Sequence, residues 1–297
     1  KPHEVQESAF PIVKPITKYA VLLKDKNKIR YELEKMLYLA REGRPGPVLM
    51  DLPDDLQRAE INPKKLKGFV PPKFKKKNLN FEKKFIKILK KAKRPLFVLG
   101  HGINISNTKN QVKRIIKKTG IPYVPSWATL DLFPHDDRLN AGTFGVAANR
   151  YGNFAIQNSD LIISLGCRLN TQITGSNIAS FAPKAKKIIV DIDKYEFKKN
   201  NGLKIDLKIN LDLKVFFQKI MPLIKTKKNY IQWINQFKIW KEKYPITKIE
   251  YKKQKNNIYV FMKELSNQTG KKDILIPDAS ANLVWFYQAF KLPLVNT

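Results

Sequence analysis

Two short apolar runs, residues 161–165 and 188–192, constrain this chain more than any other feature. Both are rich in isoleucine, and neither alternates apolar with polar residues. Such a strand carries apolar side chains on both faces, so both faces must be covered, as in the inner strands of a parallel sheet flanked by helices. Each run also closes on a turn: Gly166-Cys167-Arg168 after the first, Asp191-Ile192-Asp193 at the end of the second. In open α/β sheets, ligands collect outside the carboxyl ends of the strands. A glycine there admits a ligand to the backbone, an arginine can pair with a phosphate, and an acid can accept from a ribose hydroxyl. The pattern reads as a nucleotide-type site, with ordinary turn formation as the alternative.

The rest of the chain supplies helices and further strands. Residues 27–42 place Ile29, Leu33, Met36, Leu37 and Ala40 at helical spacing. Gly43 stops that helix, Arg44-Pro45-Gly46-Pro47 makes a stiff turn, and residues 48–52 read as a short strand. Residues 54–80 are rich in proline and lysine without apolar periodicity, as in a linker. Helices are then predicted over 81–92, 107–118 (capped by Ser106 or Asn107), 212–220, 230–240 and 256–268, with a basic linker at 241–255. Strands are predicted over 95–99, 121–124 and 205–213, and residues 273–282 read as a strand followed by a helix-opening turn. Gly100-His101-Gly102, between a strand and a helix, could cradle a phosphate, although the third glycine of a dinucleotide fingerprint is absent.

Composition closes off several classes. At 297 residues, one large or two smaller domains are expected. A hydrophobic content of 43% excludes general disorder. No apolar run approaches the roughly 20 residues that span a bilayer. A single cysteine, Cys167, excludes an internal disulfide and fits a reducing cytoplasm. The net charge of +32 invites a nucleic-acid reading, but the excess is lysine spread over helix faces and linkers, with no base-reading signature. His3, His101 and His135 have no second ligand at metal spacing, and His135 sits in a surface-turn pattern. No nucleophile-base signature supports covalent side-chain catalysis.

An ordered series of motifs carries a family resemblance. It runs Gly142/Gly145, then Asn153 to Ile163 (N-x-A-x-x-x-x-D-L-I-I), Gly166-Cys167-Arg168, Thr174-Gly175, Phe181-Ala182-Pro183-Lys184-Ala185-Lys186, and Val190 to Asp193 (V-D-I-D). Upstream stand Gln6-Glu7, K-P-I-T-K-Y from Lys14 to Tyr19, and G-R-P-G-P-V-x-x-D-x-P from Gly43. The series resembles the thiamine-diphosphate-dependent 2-oxo-acid enzymes of the acetolactate synthase-like group.

That resemblance implies a fold: the doubly wound α/β central domain of such an enzyme over 81–225, flanked by partial α/β domains. Residues 1–60 would close a pyrimidine-binding domain, 61–80 and 226–255 would be linkers, and 256–297 would open a diphosphate-binding domain. It implies Gln6 as the active-site residue beside the thiamine cofactor. Gly102, Ser126, Trp127, Gly142, Gly145, Gly166, Arg168, Asp191 and Asp212 would line a central pocket holding FAD or an adenine nucleotide, Asp212 alternatively capping a helix. Ala279, Ser280, Ala281 and Asn282 would face the cofactor's diphosphate. An assisting glutamate would lie before Lys1 and the Mg2+ ligands after Thr297, so the chain by itself is expected to be inactive, as a fragment or a degenerate relative. The family's active sites form between subunits, which implies a homodimer or homotetramer. The chain departs from true acetolactate synthases at Leu169 to Ile173 and Ala141 to Phe144, toward the acetolactate synthase-like enzymes of sugar and surface-polysaccharide pathways. A nucleotide-binding module without carboligation and a basic nucleic-acid-binding protein are the rival readings.

Overall fold

The computed structural model describes residues 10–73, 80–198, 202–224, 228–270 and 272–292. The chain divides into two compact units, Lys1–Asn78 and Leu79–Thr297. Gln6 lies outside the described residues.

In the first unit, β1 (Tyr19–Leu22) and β2 (Val48–Asp51) pair in parallel, with α1 (Ile29–Arg41) between them in sequence. The helix ends where Gly43 takes φ +62°, a conformation that costs glycine little. The Lys18 ammonium donates to the carbonyls of Glu42 and Arg44, which serves the helix's negative end. The expected linker is partly structured: Leu66 is buried, the Phe69 amide donates to Glu34 Oε2 at 2.7 Å, and the Phe69 ring meets Tyr31 and Tyr38. Of the expected apolar face of α1, Met36 is buried, while Leu33 and Leu37 remain 46% and 58% exposed. Two strands within this unit are too narrow to cover that face.

The second unit is built on a five-stranded, all-parallel sheet in the order β4-β3-β5-β6-β7. Its members are β3 (Pro95–Leu99), β4 (Tyr123–Pro125), β5 (Leu161–Leu165), β6 (Lys186–Asp191) and β7 (Leu207–Asn210). β3 and β5 are buried along their whole length, the burial that their unbroken apolar character demanded. The helices are α2 (Glu82–Lys91), α3 (Lys109–Thr119), α4 (Arg150–Asn158), α5 (Leu213–Ile220), α6 (Ile231–Lys243), α7 (Ile258–Gln268) and α8 (Ala281–Ala289). One continuous core holds the strands with Phe85, Ile115, Phe216 and Phe237, each buried aliphatic side chain contributing about 1.5–3 kcal/mol. Asp160, the aspartate of D-L-I-I, accepts from the amides of Lys93 and Arg94 at 2.8 and 2.9 Å and so fixes the entry of β3 beside β5.

Three expectations are corrected. Neither Ser106 nor Asn107 caps α3: a short helix, Gly102–Ile105, comes first, Asn107 takes a left-handed φ of 52°, and Thr108 holds the cap position. His135 is half-buried rather than on an open turn. Residues 273–278 form no strand. No described strand pairs with them; Leu275 packs against Met262, Ala289 and Phe290, while Ile274 and Ile276 stay 86% and 88% exposed.

Candidate functional site

Strand order places the switch point between β3 and β5, whose neighbours in sequence lie on opposite sides. In sheets of this order, the crevice outside that point is where ligands enter. The turns after β3, β4, β5 and β6 bring Gly102, Ser126, Trp127, Gly166, Arg168 and Asp191 to this carboxyl edge.

The crevice is closed by the chain itself. The Gly102 amide donates to the Gly166 carbonyl at 3.0 Å, and the two turns lie back to back. A β-carbon on Gly102 would stand 2.8 Å from Gly166 Cα, and one on Gly100 only 2.3 Å from Cys167 Cα. These glycines let backbone meet backbone; they do not cradle a phosphate. Gly142, at φ +98°, likewise abuts the ring of Tyr151.

The polar candidates are engaged as well. Arg168 Nε donates to Glu196 Oε1 at 3.0 Å; the arginine is 58% exposed while the glutamate is buried. Asp191 Oδ1 accepts from the Asp193 amide at 2.9 Å. Asp212 caps α5 by accepting from the Lys214 amide at 2.7 Å, the helix-cap role that was one of its two expected duties. Ser126 Oγ lies 3.3 Å from Thr129 Oγ1.

Gly142 to Gly145 form a loop held from α4. Asn149 Oδ1 accepts from the Thr143 amide at 2.8 Å, and Asn153 makes a reciprocal pair with the Gly145 amide and carbonyl, both at 2.9 Å. The asparagine of the N-x-A motif is thus a fastener for the glycine pair before it. Helix α8 completes the closure. The Tyr287 hydroxyl reaches the Phe144 carbonyl at 3.0 Å and the Pro125 carbonyl at 3.2 Å, and accepts from the Phe144 amide at 3.3 Å. Burial pushes its pKa well above the usual phenol range, so it remains a neutral donor. Its ring lies 5.0 Å from Trp127. Gln288 adds a bond to the Ala147 carbonyl at 3.0 Å and receives one from Asn149 on its own carbonyl at 3.1 Å.

The expected flavin pocket finds no support in this arrangement: the Gly102 amide, a candidate phosphate donor, already bonds to the Gly166 carbonyl, and the Tyr287 hydroxyl sits between the Phe144 and Pro125 carbonyls. Sequence reasoning missed Tyr287, which carries no local motif; its role exists only because α8 returns to the edge of the sheet.

The diphosphate candidates form a different kind of place. Ala279 to Asn282 are exposed, Ser280 takes φ 68°, and no side chain caps α8 or adds an acid to its first turn. Only the Ala279 amide is committed, to Asp278 Oδ1 at 2.7 Å. Uncapped amides at a helix start are donors suited to a phosphate group, so this turn fits a diphosphate.

Comparison with known proteins places the chain. The family described as thiamine pyrophosphate enzyme, central domain, matches residues 83–220, which span the five-stranded sheet. Acetolactate synthase 2, chloroplastic, of Nicotiana tabacum is 29% identical over 245 residues, covering 81% of this chain and 36% of the relative. The chloroplastic acetolactate synthase of Arabidopsis thaliana is 28% identical over 246 residues, covering 80% and 36%. The probable acetolactate synthase large subunit of Methanocaldococcus jannaschii is 30% identical over 300 residues, covering 95% and 50%. The chain therefore spans between about a third and a half of the length of these relatives. All three are acetolactate synthases by name, and they lend no weight to the expected lean toward polysaccharide-pathway enzymes.

Proposed function

We infer, from a chain that belongs to the acetolactate synthase-like family of thiamine pyrophosphate enzymes, that it acts in thiamine-diphosphate-dependent carboligation or cleavage of a 2-oxo acid such as pyruvate. One observation carries this reading. The family match fills the sheet of the second unit, while the likeness to acetolactate synthases continues through 80 to 95% of the chain, beyond that domain on either side.

Thiamine diphosphate, when bound, supplies the electron sink that such carbon-carbon chemistry requires. The amides at the start of α8 and the Ser280 hydroxyl would hold its diphosphate, with Ala279, Ala281 and Asn282 letting the phosphates approach closely. Mg2+ would neutralise those phosphates through ligands that the resemblance assigns elsewhere. Gln6 would line the reacting end of the cofactor. The central unit would serve as scaffold. The division into an end of a pyrimidine domain (1–60), a central domain (81–225) and the start of a diphosphate domain (256–297) belongs to this proposal, as does assembly into a homodimer or homotetramer. A cytoplasmic location also remains a proposal, since the plant relatives are named chloroplastic. The rival nucleotide-binding module would need the carboxyl edge that the chain fills with its own residues.

The test is acetolactate formation from pyruvate by the intact protein with thiamine diphosphate and Mg2+, scored as acetoin after acid decarboxylation, beside Gln6→Ala. Thiamine-dependent acetolactate that falls at least about tenfold in the variant would support the reading. Thiamine-dependent loss of pyruvate without acetolactate would move the protein to another reaction of the family. No thiamine-dependent turnover of any 2-oxo acid would overturn it.

A further inference from the structure

A cavity of about 410 Å³ opens at the amino-terminal edge of the sheet, away from the closed carboxyl edge. Leu139, Ile231 and Ile234 give it apolar walls, while Arg138, Lys228 and Tyr230 supply polar groups; no acidic residue lines it among the described residues. Four features point the same way.

Tyr230 is only 7% exposed, yet its hydroxyl has no hydrogen-bond partner among the described residues. The hydroxyl oxygen itself still reaches solvent, so a ligand accepting from it would take the place of water. Burial, followed by the charge of Asp160, pushes its pKa up to about 12, so it donates as a neutral phenol. Asp160 itself is occupied by the amides of Lys93 and Arg94.

Tyr230 also stands at the start of α6, a 13-residue helix with no side-chain cap from that position and no acid in its first turn. The Ile231 amide is taken by Asn229 Oδ1 at 3.0 Å, and helix geometry leaves the first-turn amides of Gln232 and Trp233, next to the cavity wall, without an intrahelical acceptor at the positive end of the helix. Arg138 is exposed and makes no hydrogen bond or ion pair among the described residues. Lys228 is held in place by donating to the Lys90 carbonyl and adds a second positive charge. The opposing contribution, the negative end of α3 at Gly120, is offset by Lys117 and Lys118 in its last turn.

We propose that this cavity binds a small organic anion with an apolar body. Its carboxylate or phosphate head sits on the amino end of α6, accepting from Tyr230 and pairing with Arg138, and its hydrocarbon part lies against Leu139, Ile231 and Ile234. The site owes nothing to thiamine diphosphate and goes beyond the proposed carboligation.

Titration of the intact chain with hexanoate, hexyl phosphate, hexanol and inorganic phosphate, followed by amide chemical shifts, tests it. Saturable shifts at Gln232 and Trp233 with hexanoate or hexyl phosphate are expected, the tighter of the two identifying the head group. Hexanol should be at least about tenfold weaker, because it lacks the charge that pairs with Arg138. Inorganic phosphate should bind more weakly than hexyl phosphate, because it lacks the apolar body. Arg138→Gln and Tyr230→Phe should each weaken the organic anions by about tenfold, the loss of one charge-assisted hydrogen bond. Because Arg138 is exposed, its variant keeps the test decisive even if Tyr230→Phe fails to fold. The proposal is overturned if no probe saturates those amides, if hexanol binds as well as the anions, or if Arg138→Gln titrates like the parent.

Discussion

Half-buried His135 and buried Lys187 show how single residues are tuned by where the fold leaves them. Burial, then the charges of Lys241 and Lys291, hold the His135 imidazole near a pKa of about 4, against 6.5 for an open histidine. The unfolded chain therefore takes a proton near pH 6.5 that the folded chain refuses until about pH 4. Above the upper value the residue contributes no pH dependence; between the two, stability falls as pH falls. Melting temperature followed from pH 7 to pH 4 should drop less in His135→Gln than in the parent; equal slopes would refute this account. Lys187 is 3% exposed, and its ammonium donates to the Ala182 carbonyl at 2.7 Å and the Ala185 carbonyl at 3.1 Å. It steadies a turn in which Ala182 holds a left-handed φ of 44°. Lys187→Met keeps the length but strands the Ala185 carbonyl and leaves the Ala182 carbonyl only its bond from the Ala185 amide, and urea unfolding should show a loss of about 1–3 kcal/mol. Neither role could be read from sequence, where both looked like ordinary surface-type residues. The turn glycines were legible as necessary, but their partners were not: a glycine that admits a phosphate and one that admits a neighbouring turn look alike in one dimension.

At the scale of elements, the apolar runs located β3 and β5 to the residue, because a strand buried on both faces has no competing pattern. β4 begins two residues later than its apolar run, since the ladder starts only where Tyr123 pairs with Phe97. The failure at residues 273–278 has a related cause. Strand propensity needs a neighbour to bond to, and the described residues offer none. Helix α8 is where tertiary contact matters most, and Tyr287 is the test of it. Tyr287→Phe retains the ring against Trp127 but removes the hydroxyl that serves Phe144 and Pro125. It should cost about 1–3 kcal/mol and raise the hydrogen-exchange rates of α8 and of the loop from Gly142 to Gly145 together. Faster exchange in α8 alone would mean that the helix is not coupled to the loop.

Across the whole molecule, 57 basic residues stand against 25 acidic ones. Most of the ion pairs among the described residues are exposed, where each is worth about 0–1 kcal/mol, so self-repulsion should outweigh them. Raising NaCl from about 0.02 M to about 0.2 M shortens the screening length and should raise the melting temperature. A fall would mean that the specific pairs dominate. The sequence by itself determined the parallel α/β sheet, its order of strands and helices and the resemblance to thiamine-diphosphate enzymes, since these follow from local periodicity and ordered motifs. Only the tertiary structure decided what the motif residues touch. It put Gly102 on Gly166, Arg168 on Glu196 and Tyr287 over the edge of the sheet. It also gathered Arg138, Lys228 and Tyr230 at the opposite edge. Such contacts join residues far apart along the chain, and no local pattern records which surface a packed core will bring against another.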